Sequence, residues 1–225
     1  MSLEEHQKDV DKRASEIRSY LRLIETNTSS GSLAVRQDLL AARGLATIYI
    51  YGLVEFGLCG ALQIVLSTIR QEGHFVEELD YHVRSFALDR KLQTLENQNG
   101  RRNWLKRKEL FEESTQMAVA EIDDAVLPLA RGNIKASHFD DVEKVFELNK
   151  QLIPRRDIRG HLDEIANARM EVAHGRKSAT ETGRAFSLEK LQNRKDSTIE
   201  IIYNVNYVFT EYLKDRRYLK RMRGG

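Results

Sequence analysis

The sequence predicts an all-α fold, a bundle of long helices, and three observations carry that prediction. Proline accounts for only 2 of the 225 residues and glycine for 13, too few for a turn-rich β-sandwich. Apolar residues, 41% of the chain, recur at steps of three, four and seven, the spacing of a helical stripe. The apolar stretches are also long and lack internal breakers, and such length favours helix over strand.

Taken in order, Val10, Ile17, Leu21 and Ile24 place one apolar stripe on an N-terminal helix. Asn27-Thr28-Ser29-Ser30-Gly31-Ser32 reads as a loop. A long helix follows over 33–71. Its first half is amphipathic through Leu39, Leu40 and Leu45, and its second half is apolar nearly all round, as in a helix enclosed by others. The segment Leu45 to Ile69 also raises the question of a membrane span. Glu55 divides it, leaving uncharged runs of 11 and 14 residues from Gly44 to Arg70. Both are short of the roughly 18 residues that spanning requires, so the expectation is a buried central helix with no membrane partner.

Residues 73–135 read as a helical insertion in a single domain covering 1–225. One helix is expected over 77–95, a break at Asn97-Gln98-Asn99-Gly100, and a second helix over 104–127 closed by Pro128. Ser137 is the expected N-cap of a helix carrying Val142, Val145, Phe146 and Leu148 and ended by Pro154. A further helix starts near Asp157, carries Ile158, Leu162, Ile165, Ala168 and Val172, and stops near Gly175. A polar loop is expected over 177–183. Ser187 then caps a last long helix with Leu191, Thr198, Ile202, Val205, Phe209 and Tyr212 on one face.

Several chemistries are excluded on composition and spacing. No two of the six histidines stand at i and i+4, the arrangement of a zincin helix. The acidic doublets, such as Asp123-Asp124 and Asp140-Asp141, point about 100° apart on a helix and do not chelate. No glycine-rich phosphate cradle occurs. Neither a metal nor another cofactor is expected. Cys59, the single cysteine, lies in an apolar helix and reads as a packed hydrophobe; a reducing, cytoplasmic setting fits such cysteine usage.

One segment carries chemistry: Ala168-Arg169-Met170-Glu171-Val172-Ala173-His174-Gly175. An arginine and a histidine near a helix end suit RNA cleavage without a metal. The 2′-hydroxyl must lose a proton as it attacks phosphorus, and imidazole is the natural proton carrier near neutral pH. Negative charge accumulates on the five-coordinate phosphate, and a guanidinium stabilises it. Positions five apart on an ideal helix lie about 140° apart in azimuth. One chain therefore presents the pair awkwardly, whereas a cleft between two copies would bring four such groups together. The competing reading is a solvated helix end.

With its neighbours, this segment resembles the HEPN superfamily (higher eukaryote and prokaryote nucleotide-binding domains). The family's motif is Arg, four to six residues, then His, often written Arg-Asn-x-(Ile/Leu/Val)-Ala-His-Gly. Val172-Ala173-His174-Gly175 fits the second half. The helix over 45–69, with Tyr51, Glu55 and Phe56, resembles the family's earlier core helix, and the final helix resembles the one that ends its bundle. The resemblance covers 33–72 and 137–213. The chain departs at Met170, where the family often has Asn; Asn167 stands three positions too early. The resemblance implies a HEPN-type helical bundle and a metal-independent endoribonuclease of toxin or antiphage-defence type. It implies a homodimer with a composite site, Arg169 and His174 as catalytic residues, and an antitoxin or larger defence complex as a further partner. Glu55 carries over as a group on the facing helix that orients Arg169, and Asn167 as a supporting neighbour. Some family members are inactive and serve as dimerisation or binding modules, and Met170 is the feature on which that alternative rests.

The formal net charge is +2, so an RNA surface must be local. Arg101, Arg102, Trp104, Lys106, Arg107 and Lys108 combine five cations with one aromatic and are the expected RNA-binding patch. Arg155, Arg156 and Arg159, and the basic stretch 214–223, are expected to extend a positive rim.

Overall fold

The computed structural model describes residues 1–27, 33–96, 102–115, 118–123 and 133–220. Its ordered elements are helical. In chain order they are α1 (Leu3–Asn27), α2 (Leu33–Gln71), a 3-10 turn (Val76–Glu78), α3 (Tyr81–Ala87), α4 (Asp89–Glu96), α5 (Arg102–Ser114), α6 (Ala136–Val145), α7 (Arg159–Ala173), α8 (Ala179–Arg184) and α9 (Leu188–Lys214). Of the expected loop over 27–32, Asn27 closes α1 and residues 28–32 lie outside the described residues, as does the break over 97–100.

The apolar stripe of α1 (Val10, Ala14, Ile17, Leu21, Ile24) is buried, as its spacing requires. The α2 helix is the centre of the molecule. At 39 residues it is about 58 Å long, and α1, α7, α8 and α9 all pack against it. That enclosure explains a sequence apolar on nearly every side: Ile50, Leu53, Val54, Leu58, Leu62, Val65, Leu66 and Ile69 are all buried. By length and composition alone α2 is sufficient to cross a membrane, and 56% of its apolar window is buried within the bundle.

A short helix packs beside the motif helix and on α2. The α8 helix occupies most of the stretch expected as a loop. Ser178 caps it, its hydroxyl accepting from Glu181 N–H at 3.2 Å while the Glu181 carboxylate accepts from Ser178 N–H at 2.7 Å. This capping box was present in the sequence as Ser178-x-x-Glu181, and it makes six residues helical. The helix crosses α2 where Gly44 faces Gly183. A Cβ at Gly44 would stand 1.9 Å from the Ala179 carbonyl oxygen, and one at Gly183 would stand 1.8 Å from that of Leu40. Only glycine permits two backbones to meet this closely.

The middle region departs from its expected form. The helix expected over 77–95 is divided into the 3-10 turn, α3 and α4, because distant backbone takes the hydrogen bonds of 76–80. Val76 N–H donates to Ala118 O (2.9 Å), Asp80 N–H to Tyr218 O (2.8 Å), and Glu78 O accepts from Lys220 N–H (2.9 Å). The helix expected over 104–127 stops at Ser114. Residues 118–120 are extended and bridge Phe75, while 124–127 lie outside the described residues. Val76, Leu79, Val83, Leu88, Ala120 and Ile122 join this region to the common core.

The α6 helix also differs from expectation. Ser137 lies inside it, and its first turn is capped from another helix: Ala136 N–H donates to the Asp163 carboxylate of α7 at 2.8 Å. It ends at Val145, well before Pro154, where Glu147 takes a left-handed backbone (φ 47°). The last helix begins as expected, with Ser187 Oγ accepting from Lys190 N–H at 3.1 Å.

Candidate active site

The motif lies along α7 and its C-terminal turn. Leu162, Ile165, Ala166 and Ala168 are buried and fix the rotation of the helix. His174 is the C-cap, with φ −92° and ψ 6°, and Gly175 follows at φ +66°. Gly175 N–H donates to Val172 O (3.1 Å) and Arg176 N–H to Glu171 O (2.9 Å). Those two bonds form a Schellman motif, which needs a left-handed residue at the position of Gly175. The glycine thus ends the helix one residue after His174 and leaves the imidazole exposed at the tip.

Arg169 points the other way, toward α2. Tyr51 and Glu55 are four residues apart on that helix and so share a face. The Arg169 guanidinium lies over the Tyr51 ring, 4.9 Å from its centroid, and 3.8 Å from Glu55 Oε1. Both charged side chains are about one third exposed (30% and 39%). Tyr51 beneath them is buried, and its hydroxyl accepts from Ile134 N–H at 2.7 Å. Burial, with Glu55 adding to it, pushes the phenol up to about 12, against the opposing pull of Ile134 N–H and Arg169. It therefore keeps its proton near neutral pH. Burial, with Glu55 again contributing, also raises the nearby Cys59 thiol. That matches the sequence reading of Cys59 as packed and unreactive.

Among the described residues the Arg169 guanidinium makes this ion pair and this ring contact and no hydrogen bond, and no contact joins it to His174. Its N–H donors remain available to a ligand. Asn167 lies elsewhere, exposed in a groove between α7 and α8 of about 650 Å³ that Asp163, Glu164 and Glu171 also line. Two positions on α7 separate it from Arg169, about 200° of helical rotation. Met170 is half-buried between these directions. Among the described residues no group of three or more His, Cys, Asp or Glu is placed to hold a metal ion.

The comparison with known families follows this geometry. A model described as HEPN_MAE_28990-like HEPN matches residues 2–218, nearly the whole chain. The chain belongs to the HEPN family. No curated protein and no solved structure matches it. The all-α bundle is the architecture of that family.

In this HEPN domain the basic patch sits apart from the motif, on α5, which packs against α4 and the 3-10 turn. Arg101 lies outside the described residues, and Arg102 opens the helix. Trp104 and Phe111, seven residues apart on one face, are 78% and 72% exposed. Between them Lys108 pairs with Glu112 at 3.1 Å, Lys106 pairs with Glu109 at 2.7 Å, and Arg107 is exposed. Phe111 was not part of the expected patch; its i, i+7 relation to Trp104 was the available signal. Of the arginines before the motif, Arg155 and Arg159 are each held by two hydrogen bonds, to Glu200 and Asp140 respectively. They join elements together, although Arg155 is itself exposed, as is Arg156.

Proposed function

We propose that this HEPN domain is a metal-independent endoribonuclease of toxin or antiphage-defence type, acting as a homodimer. The observation that carries this reading is the state of Arg169, steadied by Tyr51 and Glu55 with its hydrogen-bond donors unengaged, on the helix whose C-cap is His174. A guanidinium held this way suits a phosphate that gains charge during reaction. His174 at the free tip takes the proton of the 2′-hydroxyl or contacts the phosphate. The O2′–P bond forms as the P–O5′ bond breaks, and the departing O5′ takes a proton from water or from the imidazolium of the second copy, leaving a 2′,3′-cyclic phosphate and a 5′-hydroxyl. Within one chain the two groups diverge, so the reading places the working site in a cleft between two copies. Residues 73–135 act as a helical insertion whose α5 face holds RNA, through Trp104 and its neighbouring cations. The proposed setting is the cytoplasm, with an antitoxin or defence-complex partner and no membrane.

A second reading, a catalytically inactive HEPN module for dimerisation or binding, draws on Met170 in the position where Asn is common. Incubation of wild type and His174→Ala with total cellular RNA in excess EDTA, with analysis of the 3′ ends, separates the two. The ribonuclease reading expects cleavage by wild type alone, leaving cyclic phosphate. Dimers of both proteins that cut nothing favour the module.

A further inference from the structure

Arginine side chains are long, and an unrestrained one samples many rotamers. Arg169 is restrained on two sides, by a ring and by a carboxylate that share one face of α2. The ring of Tyr51 supports one face of the guanidinium at 4.9 Å. The Glu55 carboxylate, one helical turn along α2 from Tyr51, stands 3.8 Å from Arg169 Nη2. Tyr51 itself has little room to move. It is 1% exposed, and its oxygen is fixed to Ile134 N–H at 2.7 Å.

We infer that Tyr51 is the positioning residue for Arg169, its ring, anchored by the hydroxyl's bond to Ile134 N–H, supporting the guanidinium beside Glu55. This deepens the ribonuclease reading and rests on it for its functional consequence, though the geometry stands alone. Tyr51 touches no substrate in this scheme. Its effect reaches the phosphate through Arg169.

The test uses a probe that needs no catalysis. Phenylglyoxal modifies free guanidinium groups, and peptide mass spectrometry gives the rate at Arg169, with Arg155 as the internal control. Tyr51→Leu removes the ring and the hydroxyl. Tyr51→Phe removes only the hydroxyl. Arg169 is expected to react about two- to fivefold faster in Tyr51→Leu, the equivalent of one partly exposed cation–π contact, with Tyr51→Phe intermediate and Arg155 unchanged. Cleavage by both variants should lose kcat with little change in KM, because the arginine acts on charge that develops in the transition state. A general packing role would lower thermal stability without a selective change at Arg169. Should Tyr51→Leu fail to fold, Tyr51→Phe decides. An unchanged Arg169 rate and unchanged kcat in that folded variant overturn the inference. The two readings can fail separately. If wild type cuts no RNA while Arg169 reactivity still follows Tyr51, the ribonuclease reading falls and the positioning role stands. If the variants cut like wild type with Arg169 unchanged, the reverse holds.

Discussion

Alanine at Gly44 should push α8 off the central helix, and the size of the effect can be worked from the crossing itself. The new Cβ would lie 1.9 Å from the Ala179 carbonyl oxygen, 2.7 Å from its carbon and 2.9 Å from its Cα. A carbon–oxygen contact is comfortable near about 3.3 Å, so the backbones must separate by roughly 1.4 Å. The atoms met belong to backbone, and no rotamer change relieves them. Overpacking of this kind costs about 1–3 kcal/mol, toward the upper end here because the neighbour is a helix. Alanine's better helix propensity offsets about 1 kcal/mol. The net loss is about 2 kcal/mol, or about 4–8 °C in Tm for a chain of this size. The control lies on the same helix. Gly52 is exposed, and a Cβ there meets nothing within 4 Å, so Gly52→Ala should stabilise by about 1 kcal/mol. Thermal and denaturant unfolding of the two variants, followed by far-UV circular dichroism, measures both. The same substitution on one helix is expected to give opposite signs. A Gly44→Ala protein that melts above wild type, as Gly52→Ala should, would refute the close crossing. Gly183→Ala meets the Leu40 carbonyl from the other side, so the double variant should lose less than the sum of the two.

Gly175→Ala should cost about 1–2 kcal/mol by forcing a side chain into the left-handed region at φ +66°, and Gly175→Asn less; equal unfolding midpoints for all three proteins would contradict the Schellman assignment. If α5 is the RNA face, Trp104→Ala should weaken binding by about 1–3 kcal/mol in fluorescence anisotropy titrations. Arg107→Gln should then lower the slope of log affinity against log salt by about 0.7, and unchanged binding by both would move the RNA surface elsewhere. His82 and His161 both titrate below their ordinary value, chiefly through burial. With the folded pKa depressed, the unfolded chain takes up protons first, so their contribution is complete above about pH 6.5 and is lost as pH falls below it. The His82→Gln/His161→Gln protein should therefore show a flatter Tm between about pH 7 and pH 5 than wild type, and equal slopes would remove these two groups as the cause.

The elements legible in the sequence are those whose signals are local. An apolar stripe read α1, a serine cap and a stripe read α9, and a run apolar on all sides read α2 as the enclosed helix, since periodicity survives into any fold that buries it. His174-Gly175 read the end of α7 because a left-handed glycine terminates a helix wherever it occurs. The capping box of α8 was equally local but introduced a helix of only six residues, too short for periodicity to announce. Where tertiary contacts took over, local reading failed. The segment 76–80 gives its backbone hydrogen bonds to 118 and 218–220, and α6 takes its cap from Asp163 on another helix. Neither exchange leaves a mark in the nearby sequence, because the partners become neighbours only after folding. The same holds at the site. The sequence supplied Arg169, His174 and Glu55, but only the packing of α7 on α2 set the arginine over Tyr51, turned Asn167 into a different groove and neutralised Arg155 and Arg159. Residue type decides what chemistry a side chain can do, and the rotation of one buried helix against another decides which of those side chains meet.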